Sequence, residues 1–165
     1  MHITQHTDYA LRVLIYLAAN TDRLVTIAEV SQRFDISRSH LMKVANQLVR
    51  EGFVDGLRGK GGGLRLARPA AQIAIGAVVR RMERGMELVE CFGHDSNCLL
   101  TPNCKLKGVL ATALEAFLHS LDRVSLAEVL EAPQRELLYL AKHDAPHPAP
   151  RRARARAART PPNVG

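Results

Sequence analysis

The chain has no tryptophan, and only seven of its 165 residues are Phe or Tyr. A platform that stacks single-stranded bases on aromatic rings is therefore excluded. Cysteine is equally scarce, with three residues confined to positions 91–104. Three thiols cannot all pair within one chain, so a disulfide framework is disfavoured and a metal or redox site is favoured. Long apolar runs are missing too. The stretch Leu11–Ala19 follows Asp8 and carries Arg12, falls short of the roughly 18 residues that span a bilayer, and lacks the basic start of a secretory signal. A cytoplasmic protein in a reducing compartment is expected, where clustered thiols more often bind metal than oxidise.

Positive charge is plentiful: 23 Lys and Arg against 16 Asp and Glu give +7. Nucleic acid is the favoured partner class, with an anionic membrane surface as the other reading. The charge is unevenly spread. Between Ser37 and Arg68, seven basic residues face Glu51 and Asp55, a local +5. Residues 144–165 carry five Arg and one Asp, a further +4.

Thr4 to Ala19 predicts a helix apolar on nearly every side, hence buried, with Asp8 and Arg12 placed for an i,i+4 pair. Thr26-Ile-Ala-Glu29 is a capping box that opens a short helix to about Phe34. Ser37 caps a longer helix whose Leu41, Val44, Ala45 and Leu48 share one face, leaving Ser39, Lys43, Asn46 and Arg50 outward. Gly52 stops it. Residues 53–58 and 63–67 then predict two strands joined by the glycine-rich Gly59-Lys-Gly-Gly-Gly63. A short helix over 75–84 follows. Thr101-Pro102 predicts the start of a long helix with Cys104 in its first turn and Leu106, Leu110, Ala113, Phe117 and Val124 on a near-heptad stripe. Ser125-Leu-Ala-Glu128 is a second capping box, and a last helical stretch covers about 134–142. The Ala, Pro and Arg of residues 144–165 have too little apolar bulk to offset chain entropy, so a disordered tail is expected.

Two short helices followed by a hairpin describe a winged helix-turn-helix. The fold class is thus mainly α with a small β-hairpin wing and a long C-terminal dimerisation helix. The expected organisation is a DNA-binding domain over 1–84, a cysteine loop over 85–104, dimerisation and C-terminal helices over 101–143, and the tail. The first turn of a recognition helix meets base edges in the major groove, which selects Ser37, Arg38, Ser39, His40 and Lys43. Arg58 and Lys60, at the wing tip, suit the minor groove or nearby phosphates. A solvated basic helix face is the plainer alternative. A nucleotide-binding glycine loop would need Lys-Ser/Thr opening a helix, and Gly63-Leu64-Arg65 continues as strand.

Cys91, Cys98 and Cys104 are separated by six and five residues. The tight Cys-x2-Cys knuckles typical of zinc are absent, and iron-sulfur clusters accept wider spacings. A cluster is favoured over zinc. Three thiolates leave a fourth site, for which Glu90, His94, Asp95 and, outside the loop, Asp8 are candidates.

Thr7-Asp-Tyr-Ala-Leu-Arg12, Ile36-Ser-Arg-Ser-His-Leu41, Arg58-Gly-Lys-Gly-Gly-Gly-Leu-Arg-Leu66 and the three cysteines resemble the Rrf-type winged-helix iron-sulfur regulators, over residues 1–142. The resemblance implies a homodimer with crossed C-terminal helices, and a cluster on Cys91, Cys98 and Cys104, 4Fe-4S more than 2Fe-2S. In the family's nitric-oxide-sensing repressors, the fourth ligand can be a carboxylate matching Asp8, donated by the partner chain. Its iron-sulfur-assembly regulator uses a His three residues after the last cysteine, where this chain has Lys107. The function so implied is a repressor that binds a pseudo-palindromic operator on double-stranded DNA and senses nitric oxide, controlling nitric oxide detoxification or nitrogen-oxide metabolism. A regulator responding to cluster supply, iron or redox state is the alternative, and a small electron-transfer or thiol-redox protein the reading from another class. No nucleophile-base pairing suggests an enzyme.

Overall fold

Helix α1, Gln5–Ala19, is the element on which the others assemble: it packs against two further helices of the N-terminal half, against the wing and against the last short helix. The computed structural model describes residues 3–83, 85–93, 98, 103–131 and 138. Thr4 sits in extended backbone at the N-cap of α1 and its Oγ1 accepts from the Thr7 amide at 3.4 Å. Ala10, Val13, Leu14 and Leu17 are almost fully buried beneath it. Each large aliphatic side chain so buried contributes about 1.5–3 kcal/mol.

Helix α2, Ile27–Phe34, opens on the expected box: Thr26 Oγ1 accepts from Glu29 N at 3.2 Å, and Glu29 Oε2 from Thr26 N at 3.0 Å. The turn out of α2 passes through Asp35 in the left-handed region at φ +54, a conformation that Asp tolerates better than most residues. Ser31 Oγ donates to Ile36 O at 2.6 Å and so holds the turn closed. Helix α3, Arg38–Arg50, is capped by Ser37 and buries Leu41, Val44, Ala45 and Leu48.

Strands β1, Val54–Leu57, and β2, Gly63–Leu66, form an antiparallel hairpin that pairs Val54 with Leu66 and Leu57 with Gly63. At its tip Gly59 and Gly61 have φ of +99 and +82, and a Cβ on Gly62 would run into the Leu57 carbonyl. Side chains at these positions would strain or block the turn. The hairpin is also tied inward: Val25 N donates to Leu64 O at 2.9 Å and Leu64 N to Val25 O at 2.7 Å.

A 3-10 turn, Ala70–Gln72, leads to α4, Ile75–Met82. The helix stops short of the predicted residue 84 because Glu83 leaves it to face Thr4, whose amide and hydroxyl both donate to Glu83 Oε1, at 2.7 and 3.0 Å. A second 3-10 turn, Glu90–Phe92, precedes α5, Lys105–Asp122, and α6, Leu126–Val129. Helix α5 begins later than predicted. Cys104 occupies its N-cap position and forms no cap, as a weakly accepting sulfur would, while Thr101 and Pro102 lie outside the described residues. Val124 falls beyond the helix and off its stripe.

The two halves share one hydrophobic cluster that runs from α1 to Leu118, Leu126, Leu130 and Leu138. Ile75 N donates to Val124 O at 2.9 Å and Leu126 N to Ile73 O at 2.8 Å, so α4 and α6 are stitched together. Leu138 aside, the predicted stretch 134–142 and the tail 144–165 lie outside the described residues. Among the described residues, no helix is long and apolar enough to cross a membrane.

Candidate DNA interface and cysteine site

The outward face of α3 is polar and cationic because its opposite face has been spent on the core. Arg38, Ser39, His40 and Lys43 are all exposed in its first two turns, with no acidic residue in the first. Ser37 plays a structural part as well: its Oγ accepts from His40 N at 3.4 Å and lies 3.3 Å from Ser39 Oγ. Ser39, Lys43, Asn46 and Arg50 continue the face as an exposed stripe.

The hairpin refines the charge map. Arg65 pairs with Asp55 at 3.3 Å. Arg68 lies over the Phe53 ring at 5.3 Å and donates to Gly52 O at 3.0 Å. Arg50 has Glu51 at 3.7 Å. Among the described residues, Arg38, Lys43, Arg58 and Lys60 carry no ion pair. Two of these lie on α3 and two at the wing tip, while Lys105 and Lys107 of α5 and Arg123 just beyond it are likewise without an ion pair.

Two links beneath this surface escape sequence reasoning. Gln47 is 7% exposed; it donates from Nε2 to Arg81 O at 2.9 Å, and its Oε1 lies 2.9 Å from His6 Nε2. The signal was a polar residue beside Leu48 on a largely buried flank of α3. Tyr9 and His40 place their ring centroids 6.4 Å apart. Helix α1 therefore touches α3 near both ends, through the residues two before and one after Asp8.

Asp8 itself is paired with Arg12, at 2.8 Å from Oδ2, and both side chains are 44% exposed. An exposed pair of this kind is worth at most about 1 kcal/mol. The carboxylate is held, but weakly.

Cys91 and Cys104 are half-buried, Cys98 is exposed, and none of the three is in a disulfide. Cys91 lies in the Glu90–Phe92 turn and Cys104 at the start of α5, whose first amides have no side-chain cap. Those amides and the helix dipole favour an anionic group there. The donor chemistry fits a thiolate-held cluster. The described residues do not, however, bring three or more His, Cys, Asp or Glu into one metal-holding group. Glu90 is exposed and belongs to no such group, and His94 and Asp95 lie outside the described residues.

Comparison with known families matches residues 3–132 to Rrf2, described as an iron-dependent transcriptional regulator. The chain belongs to the Rrf2 family. Among its relatives, the HTH-type transcriptional regulator NsrR of Geobacillus kaustophilus is 46% identical over 142 residues, covering 84% of this chain and 97% of that one. NsrR of Halalkalibacterium halodurans is 45% identical over 132 residues, covering 79% and 90%. The solved structure of T. potens IscR superposes with a TM-score of 0.64 at 21% identity, covering 79% and 86%. CymR of B. subtilis gives 0.61 at 22%, covering 79% and 96%. These two likenesses establish the shared fold. As an Rrf2 protein the chain is a transcriptional regulator, in the company of DNA-binding regulators and not of enzymes.

Proposed function

We propose that this Rrf2 regulator is a homodimeric repressor that senses nitric oxide through a 4Fe-4S cluster and controls genes of nitric oxide detoxification or nitrogen-oxide metabolism. The observation that carries the reading is the cysteine inventory: three cysteines, none in a disulfide, between α4 and the start of α5 and no cysteine elsewhere, in a chain 46% identical to an NsrR. Cys91, Cys98 and Cys104 would hold the cluster, with the partner subunit's Asp8 as fourth ligand. The apolar residues left uncovered on α5, Leu106 and Val109 at 63% and 64% exposure, support pairing through that helix.

When bound, the cluster supplies an iron site open to attack by nitric oxide. Everything else falls to the chain. A carboxylate is the hard ligand among soft thiolates and the easiest to displace. Once released, Asp8 has its own Arg12 one turn away, so the free state of α1 is already furnished with a partner. Because Tyr9 and His6 meet His40 and Gln47, a shift of α1 is felt by the recognition helix. A coupling of about 1–3 kcal/mol would weaken operator binding roughly 5- to 150-fold.

The test is anaerobic purification followed by nitric oxide titration. Broad visible absorption should bleach while operator retardation is lost, and anaerobic native mass spectrometry should show a dimer with one cluster per chain. Colourless protein that binds its operator equally well with and without nitric oxide overturns the reading. Cys98→Ala should abolish the cluster, whereas Lys43→Ala should keep it and weaken DNA binding. A second reading, response to cluster supply or iron, is favoured by the family's description as iron-dependent; a 2Fe-2S spectrum indifferent to nitric oxide would select it.

A further inference from the structure

Beside α3 lies a cleft of about 570 Å³ that shares Lys43 with the proposed base readers and contains none of the cysteines. One wall is α3, which presents Lys43, Asn46 and Arg50. The other is the start of α1 with His6, and Gln47 and Met82 lie between. Lys43, Asn46 and Arg50 stand at i, i+3 and i+7, so they share a face over about 10 Å of helix. His6 is fixed against this wall. Gln47 spends its amide hydrogens on Arg81 O, which leaves Oε1 as the acceptor and requires a hydrogen on His6 Nε2.

Nearby acids offset only part of the charge, Glu51 and Glu83 standing against Lys43, Arg50 and Arg81. The Glu83 carboxylate accepts from Thr4, and Glu51 is shared between Arg50 at 3.7 Å and Arg81 at 3.5 Å. Among the described residues, Lys43 has no ion pair. The cleft thus offers a point-charge donor, an amide and a guanidinium, and a single free phosphate is too small to span all three. It opens along the same stripe, Ser39 to Arg50, that carries the proposed base readers.

We infer that this cleft is a phosphate-binding site and that, in the DNA complex, it takes the sugar-phosphate backbone flanking the major groove. The inference rests on the DNA-binding reading and extends the footprint from base edges and wing to the junction of α1 and α3. Arg50 is the group that adds phosphate affinity without reading sequence. Gln47 and His6 are positioning residues that hold the wall.

Fluorescence anisotropy with an operator duplex and a scrambled duplex, across about 50–200 mM salt, tests it. Arg50→Ala should weaken both duplexes by the same factor, about eightfold near 0.1 M salt for one lost phosphate contact, and should lower the slope of log K against log salt by about 0.9. Arg50→Lys should restore most of the slope, and Arg123→Ala, just past the end of α5, should not change it. A neutral methylphosphonate at the contacted phosphate should weaken the parent protein and leave Arg50→Ala unaffected. If the parent binds both duplexes and Arg50→Ala matches it in affinity and slope, the inference falls alone. If the parent binds neither, the DNA-binding reading has failed. Inorganic phosphate, titrated at constant ionic strength with His6 followed by NMR, separates the two phosphate sources. Saturable micromolar binding together with unaltered DNA affinity in Arg50→Ala would overturn the backbone assignment.

Discussion

Gln47 is a small residue-level device with a large reach. Its amide joins α1 to the end of α4 through α3, and its acceptor and donor are both engaged. Replacing it with Ala leaves the Arg81 carbonyl and the His6 ring to find other partners, at a cost of about 1–3 kcal/mol for buried groups left unmade. Gln47→Ala should therefore lower the thermal midpoint by several degrees, measured by circular dichroism. Thr26→Ala, which removes one half of a capping box, should cost about 1 kcal/mol. The contrast between these residues marks what a sequence displays. The boxes at Thr26–Glu29 and Ser125–Glu128 are legible because both partners lie within four residues. Gln47–His6 and Thr4–Glu83 span 41 and 79 residues, and no local pattern announces them.

At the scale of elements, the joint between α4 and α5 sets how the C-terminal helices sit on the winged helix. Arg80 donates through both guanidinium nitrogens to Asp122, Nη2 to Oδ2 at 2.8 Å. Gly76 makes the approach possible, since a Cβ there would lie 2.8 Å from the Asp122 amide nitrogen and collide with its carboxylate. Gly76→Ala should destabilise by about 1–3 kcal/mol as an overpacking change and should splay α5 from α4, detectable by urea unfolding.

The same joint has a pH signature. Hydrogen bonds from Arg80, with its charge, hold Asp122 below the usual carboxylate range, and the Ser125 hydroxyl and amide do the same for Glu128. A depressed folded-state pKa contributes stability that is present above the unfolded value and lost as pH falls through the folded one. Stability should therefore decline below about pH 4, and Asp122→Asn should flatten that decline in acid-unfolding curves. The sequence showed α5 as a stripe but placed its start at Thr101 and counted Val124 in it. Neither the sulfur at its N-cap nor the turn at Arg123 leaves a periodic trace.

For the whole molecule, the exposed residues of α5 are where the proposed dimer is tested. Leu106 and Val109 stand on the part of the helix that no other described element covers, whereas Leu118 is buried. Val109→Glu should convert the proposed dimer to monomer in sedimentation velocity while leaving the winged helix folded. The tail argues differently. Its +4 belongs to sequence-independent attraction, so deleting residues 144–165 should lower the salt slope of DNA binding and spare operator preference. The winged helix was legible almost throughout because caps, periodicity and glycines all act locally. The cysteines were equally plain as residue types. The path of the loop that carries them was not, since it lies outside any one-dimensional pattern.

The pair of hydrogen bonds between Val25 and Leu64 gives the DNA-binding reading one more consequence. They fasten strand β2 to the segment that leads into α2, and α2 is packed on α3, so the base of the wing and α3 are joined like the arms of a caliper. Its two jaws are set a fixed distance apart by the chain and not by the DNA. A half-site should then tolerate no inserted base pair between the positions the jaws touch, while the gap between two half-sites, set where two chains meet, remains adjustable.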